Sequence, residues 1–301
     1  MVSGNYNYQF IDWSHGPIGN EEFDHIGTLS THLITPTISI GLSDYVNINY
    51  SQTIGVRSMG WELGHSAHHR PENSLDSYVN AIASLFGDGT LSIKYLLTNT
   101  GAQAGSRIFI GSGLVIPGKS ILTADPYELN EDGTYPDHRH FSLSDGCYKA
   151  NFELQYYIKN KIKSIFIPTF YGITFNYIKS LKESDYGYLA GDGYSGIASA
   201  LFATKLKNNW APKGVSLGLI YMKAGAASWN DSEAPNSEAE MFLPTIGLIW
   251  NHKKYGSFSM NIRYNQNEVV PEDANNNEST SFEVSVGYRK TLNYTIPWLY
   301  Y

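Results

Sequence analysis

Cys147 is the only cysteine in 301 residues. That excludes an intramolecular disulfide and a cysteine-built metal site. Charge is also scarce. Asp, Glu, Lys and Arg make up 16% of the chain, against about a quarter in ordinary soluble domains. The formal net charge is −7, so nothing points to a nucleic-acid partner. No apolar run approaches the roughly 18 residues that a transmembrane helix needs. That leaves strand-built membrane spans open, because such strands are short and only half apolar. Met1 is followed by VSGNYNYQFIDW, which is polar and aromatic and does not read as a secretory signal. If the protein is exported, the expectation is a mature or truncated form. No cofactor is expected either. The one glycine-rich candidate, GDGYSG at Gly191 to Gly196, opens a strand rather than a helix.

What is abundant is Tyr (23), Gly (28) and aromatic residues as a whole, at 14%. With few charges, this composition suits a β-barrel with aromatic girdles. The stretch from Pro36 to Arg57 shows why. It reads as two strands joined by a tight turn at Ser43-Asp44. Val46, Ile48, Tyr50, Ile54 and Val56 fall on one face, and Asn47, Asn49, Ser51, Thr53, Gly55 and Arg57 on the other. A period of two gives a strand with one apolar and one polar face. In a soluble sandwich the apolar face meets a core; in an outer-membrane barrel it meets lipid while the polar face lines a lumen.

Connection lengths decide between the two. Long polar segments run over Ser14 to Ile26, Ser58 to Asp88, Gly118 to Gly146, Ile178 to Asp192, Trp229 to Ser237 and Val269 to Glu278. Between them fall short connections at Ser43-Asp44, Asn99 to Gly105, Asn160-Lys161, Lys207 to Lys213 and His252 to Gly256. Strict alternation of long and short has no basis in a Greek-key sandwich. It follows directly from short periplasmic turns and long outer loops. The sequence therefore predicts one domain over residues 1–301, an all-β, transmembrane, up-and-down antiparallel barrel of about 12 strands. Pro36 inside the second strand predicts an edge, a bulge or a kink. The tryptophans predict two belts, with Trp13, Trp61 and Trp229 at outer strand ends and Trp210, Trp250 and Trp298 at inner ends. Residues Leu75 to Phe86 have room for a short helix.

Three phrases carry a family resemblance. ISIGLSDYVNINYS resembles the early hairpin of outer-membrane transporters of the meta-pathway phenol-degradation type. GDGTLSIKYLLTN followed by RIFIGSGLVIPGKS resembles the next hairpin, and SFEVSVGYRKTL the last strand. That family is similar in turn to the long-chain fatty-acid and aromatic channel proteins. The resemblance implies an outer-membrane channel, in a Gram-negative cell, for small molecules, hydrophobic or aromatic ones among them. Its partners would be outer-membrane lipid and a small-molecule solute. The motifs are strands and turns, so the resemblance supplies no catalytic residue.

Three sets of residues are candidates for a site. Alternation places Arg57, Lys94, Arg107, Lys149, Asn151, Glu153, Arg263, Glu283 and Arg289 on inward positions, as lumen-lining residues that fill the barrel or set its selectivity. His65, His68, His69, His138 and His140 fall in two outer loops, and imidazole suits zinc, copper or nickel. Their spacing matches no known metal motif, so hydrogen bonding within the loops is the plainer role. Ser66 beside those histidines suggests a lipid hydrolase, but adjacent residues of one loop do not make a rigid triad, and no enzymatic role is expected. A surface-binding protein on a barrel scaffold is the alternative to a channel. The two longest loops, Ser58 to Asp88 and Gly118 to Gly146, are expected to pack together over the outer mouth.

Overall fold

A computed structural model describes residues 1–15, 25–61, 85–101, 104–121, 125, 142–162, 165–208, 210–234, 237–265 and 278–294. The described residues contain strand and no helix. The long strands are β1 (Val2–His15), β2 (His25–Gly41), β3 (Val46–Trp61), β4 (Phe86–Asn99), β5 (Gly105–Ile116) and β6 (Tyr148–Lys159). They continue with β7 (Phe170–Lys182), β9 (Gly193–Ala203), β10 (Gly214–Ala224), β13 (Ala239–His252), β14 (Gly256–Asn265) and β15 (Glu278–Lys290). Three two-residue strands, β8 (Tyr188–Leu189), β11 (Ser228–Trp229) and β12 (Ser232–Glu233), form a separate small sheet.

The twelve long strands close into one antiparallel barrel. Each pairs with its neighbours in the chain, and β15 returns to β1, with Val2 opposite Lys290. Closure leaves no edge strand with unpaired backbone groups. The alternation read from the sequence sets which side each residue takes. In β6, Phe152, Leu154 and Tyr156 lie exposed on the outside, while Asn151, Glu153 and Gln155 turn inward. In β4, Leu91, Ile93, Tyr95 and Leu97 are exposed and Ser92 and Lys94 are not.

The apolar core of an ordinary globule is almost missing. Among the described residues the buried apolar side chains are Val115, Cys147, Ala227, Trp229, Ala234 and Leu243. Large apolar side chains instead ring the outside, Ile38, Leu97, Ile173 and Ile246 each more than half exposed. Fully burying one such side chain stabilises by roughly 1.5–3 kcal/mol. Against water the outer wall would forfeit much of that at every second residue. Against hydrocarbon it loses nothing, and only a closed barrel or a helix satisfies its backbone there. The barrel is therefore a transmembrane one.

Of the three readings of Pro36 the edge is excluded, and three further details differ from expectation. Pro36 is not at an edge, since β2 pairs with β1 and β3 throughout the same register. The β2–β3 ladder is instead interrupted at Thr35 and Pro36, where proline has no N–H to donate. A register shift between β3 and β4 falls beside it, at Gln52 and Ile54. The connection expected at Asn160-Lys161 is longer: β6 ends at Lys159 and β7 begins at Phe170. Asn160 N donates to Thr169 O at 2.9 Å and Asn160 Nδ2 to Pro168 O at 3.0 Å. Ile162, Ile165 and Phe166 do not alternate with polar residues, and they lie exposed on this connection. Two of the expected belt tryptophans also sit elsewhere. Trp13 shares a face with the inward Thr31 and covers Gly27, where an added Cβ would lie 2.7 Å from its ring. Trp229 is 4% exposed in the small sheet, against Tyr188.

Trp210 and Trp250 do lie at the short-turn end, with Trp250 Nε1 donating to Trp210 O at 3.0 Å. With Tyr255, Phe258 and Tyr288 they frame a groove of about 730 Å³ on the outer surface, at the level where interfacial aromatics sit. The ring of Trp61 and all of Trp298 lie outside the described residues, as does the helix expected over Leu75 to Phe86 apart from its end, where Phe86 starts β4.

The small sheet is a feature that alternation did not reveal. Asn230 and Asp231 have φ of 47° and 68° and join Trp229 to Ser232 in a two-residue hairpin. Positive φ at both central residues is what such a hairpin demands, and Asn and Asp tolerate it. Strand β8 pairs with the other side of β11. The sheet thus ties the connection between β7 and β9 to the one between β10 and β13.

Candidate functional site: the barrel lumen

The inward positions fall at three levels. At the long-loop end, residues 142–147 are fastened to the barrel. Arg57 Nη1 donates to Ser142 O at 2.9 Å. Lys149 is paired with Asp145. Ser120 O accepts the N–H groups of Leu143 and Ser144 at 3.1 and 3.0 Å. Gly118 N donates to Asp88 Oδ1 at 3.3 Å, and Gly87 lies so close to Leu143 O that an added Cβ would be 2.7 Å from it. The described ends of the two longest segments meet here, beside the paired strands β4 and β5. Their middles lie outside the described residues.

Further along the strands come two ion pairs. Lys94 Nζ reaches Glu153 Oε1 at 2.5 Å. The two are not on adjacent strands: Lys94 is level with Gly111 on β5, and Gly111 with Glu153 on β6. An added Cβ on Gly111 would touch both Lys94 Cγ and Glu153 Cβ at 3.4 Å. The missing side chain is what lets the lysine cross β5. Arg263 and Glu283 pair directly across β14 and β15. Asn151 lies level with Gly113, and its Oδ1, like Asn7 Oδ1 and Thr31 Oγ1, is buried with no partner among the described residues. Buried amide and hydroxyl oxygens without partners are costly in a dry interior and are satisfied by water in a wet one.

At the short-turn end lies a cavity of about 780 Å³. Arg107 and Arg289 line it together with hydroxyl and amide side chains. Arg107 is held by its own turn, Nε donating to Asn99 Oδ1 at 3.2 Å and Nη2 to Gly101 O at 3.3 Å. Phe170, Leu201 and Ile249 line the same cavity. Sequence reasoning missed these three because alternation assigns apolar residues to the lipid side. It missed Asp145, the partner of Lys149, because Asp145 lies in a connection where no period applies.

The five candidate histidines, His65, His68, His69, His138 and His140, lie outside the described residues. Among the described residues no group of three metal-ligating side chains comes together.

The fold and lumen define a class, a twelve-stranded membrane barrel with a polar interior. No protein-family model matches the sequence, and no curated protein matches it. Solved structures do. The COG4313 outer membrane channel from Pseudomonas putida F1 superimposes with a TM-score of 0.58 at 12% identity, over 95% of this chain and 94% of that one. A TodX deltaS2S3 mutant monoaromatic hydrocarbon channel gives 0.45 at 9% identity, over 97% and 90%. The KdgM porin gives 0.43 at 11% identity, over 96% and 99%. The first likeness establishes the shared fold; the other two fall below the level at which a likeness carries weight.

Proposed function

We propose that the protein is an outer-membrane channel for small solutes, hydrophobic or aromatic ones among them. The observation that carries this reading is the inverted barrel: apolar outside, polar inside, with a cavity of about 780 Å³ in its short-turn half. A lumen filled only for stability has no use for that space. The inward arginines, lysines and glutamates are the selectivity residues of this reading, since fixed charges beside a narrow aqueous path are poorly screened. The fold shared with an outer membrane channel agrees with it. No step of this function is enzymatic. The test is reconstitution: purified protein in planar bilayers conducts, and in liposomes it speeds entry of small solutes over protein-free vesicles. No conductance and no excess flux would overturn the reading.

One feature favours a second reading, a surface-binding protein on a barrel scaffold. The small sheet, with Trp229, Ala227 and Ala234 buried at its centre, is a built platform among the long connections. That reading gains if the reconstituted protein conducts nothing while its exposed loops still capture a ligand.

A further inference from the structure

The short-turn cavity carries apolar side chains on strands β7, β9 and β13, interspersed with the polar Ser199, Ser216 and Asn251, which a general water-filled pore does not require. Phe170, Leu201 and Ile249 stand on one side of the wall, on β7, β9 and β13. Leu201 is level with Phe170. Between Leu201 and Ile249 lies Gly214, where an added Cβ would come 2.7 Å from Leu201 Cδ1. The glycine lets the leucine lean toward Ile249, and the three make one apolar strip. Continuing round the wall from Ile249, which pairs with Ser259, β14, β15, β1 and β2 present hydroxyl and amide groups around one cation. That cation is Arg289, level with Ser3 on β1 and Ser257 on β14. It forms no ion pair and no side-chain hydrogen bond with the described residues. No carboxylate lines the cavity among the described residues. Lys94 and Arg263, deeper in the barrel, each have an acidic partner.

We propose that this cavity is a binding site for a small amphipathic monocarboxylate. The apolar body lies on Phe170, Leu201 and Ile249, and the carboxylate takes the fork of Arg289. A guanidinium matches a carboxylate with two parallel N–H···O bonds. The volume falls within the range of about 300–1,000 Å³ typical of small-molecule sites. A neutral aromatic solute satisfies the apolar strip but not the arginine. A simple inorganic anion satisfies the arginine but not the strip. The inference rests on the channel reading for how the solute arrives, but binding at the site is measurable without transport.

The experiment uses benzoate as probe, with benzamide as its uncharged counterpart and acetate as its truncated one. Binding to the detergent-solubilised barrel is measured by calorimetry or ligand-observed NMR, and block of chloride current is measured in planar bilayers. Benzoate is expected to bind at least tenfold more tightly than either benzamide or acetate. Arg289→Gln should lose at least tenfold in benzoate affinity and little for benzamide, and Arg289→Lys should recover part of it. Phe170→Ser should weaken benzoate and leave acetate unchanged. Heat-modifiable gel mobility confirms that each variant closes its barrel. Equal binding of benzoate and benzamide, or benzoate binding unchanged in Arg289→Gln, would overturn the proposal. A protein that conducts and passes neutral solutes but shows no benzoate preference loses this site and keeps the channel. One that binds benzoate through Arg289 yet never conducts keeps the site and loses the channel.

Discussion

The two ends of the lumen are built from the same wall and treated oppositely. At the long-loop end polar groups are used up: Arg57 on Ser142 O, Lys149 on Asp145, Asp88 on the Gly118 amide. Residues 142–147 are held there by side chains of two strands. At the short-turn end Arg107 is held by its own turn, but a cavity remains, and Arg289 has no acidic partner among the described residues. Between them one ion pair ties β14 to its neighbour β15, and the other reaches from β4 across β5 to β6. A barrel needs internal partners for most inward charges, because each unpaired one is costly. Where a charge is left without one beside open space, stability does not explain it. The difference separates the residues that hold the barrel from those available to a solute.

The largest expected effect breaks the middle of this arrangement. Lys94→Ala leaves Glu153 without its cation in a site where the two side chains are 26% and 17% exposed. Losing one partner of a buried pair costs about 3–5 kcal/mol; a hydrated lumen puts the expectation near the bottom of that range. Arg289→Ala, by contrast, removes no partner and should stay within about 0.5 kcal/mol. Urea unfolding in detergent micelles compares them. Equal losses would erase the distinction between structural and available charges.

A smaller effect is expected at the long-loop end. Arg57→Ala removes the donor to Ser142 O, at a cost of about 1.5–3 kcal/mol for a hydrogen bond from a charged group, spent mostly on releasing residues 142–147. Single-channel current should rise or become noisier, and protease should cut this segment faster. An unchanged current with unchanged cleavage would mean that the segment is held by other contacts.

Gly111→Val sharpens the account of the Lys94–Glu153 pair at about 1–2 kcal/mol, the usual cost of an inserted side chain in a packed site. Its branch would occupy the path that the lysine takes across β5. Lys94→Ala in that background should then cost less than in the wild type. A cycle with no coupling between the two positions would show that the lysine takes another route.

Alternation from Pro36 to Arg57 was enough to read the barrel, and the long and short connections gave its twist-independent plan: twelve strands and which ends carry the loops. The reason is physical, since a wall between lipid and water must repeat every second residue. Ile162, Ile165 and Phe166 lay outside that rule, and their lack of alternation was visible before Pro168 ended the run. The inward parity of Lys94, Glu153, Arg263 and Glu283 was legible; which of them pair was not, because pairing depends on register and on Gly111. The apolar strip of the cavity was illegible for a deeper reason. Phe170 opens its strand, and Leu201 and Ile249 lie in runs, ASALFA and IGLIW, where both faces carry apolar residues. The small sheet could have been suspected only from the Asn230-Asp231 pair.

The smallest expected effect tests whether the outer end is packed in its own right. Cys147 is fully buried, its thiol donating to Tyr188 O at 3.2 Å and accepting from Ala190 N at 3.4 Å. The Tyr188 ring packs against Trp229 at a tilt of 60°, with ring centroids 4.9 Å apart. Both groups lie outside the membrane-spanning strands. Burial pushes the Cys147 thiol up, and burial with the charge of Asp145 pushes the Tyr188 hydroxyl up to about 12. The folded state thus holds both protons more tightly than the unfolded one. Their contribution is complete below the ordinary pKa values of the two groups, roughly 8.5 and 10, and is lost as pH rises through the folded values. Maleimide labelling of the intact barrel at pH 7.5 should therefore be far slower than labelling of the urea-unfolded chain. Trp229→Ala, which empties the centre of the small sheet, should speed it at the same pH without loosening the barrel on gels. The wild type taken toward pH 11 should close part of the gap to the unfolded chain labelled at the same pH, and recover on return to pH 7.5. Fast labelling of the wild type at pH 7.5 would mean that the outer end is as open as the inner one, and the contrast between the two would fall.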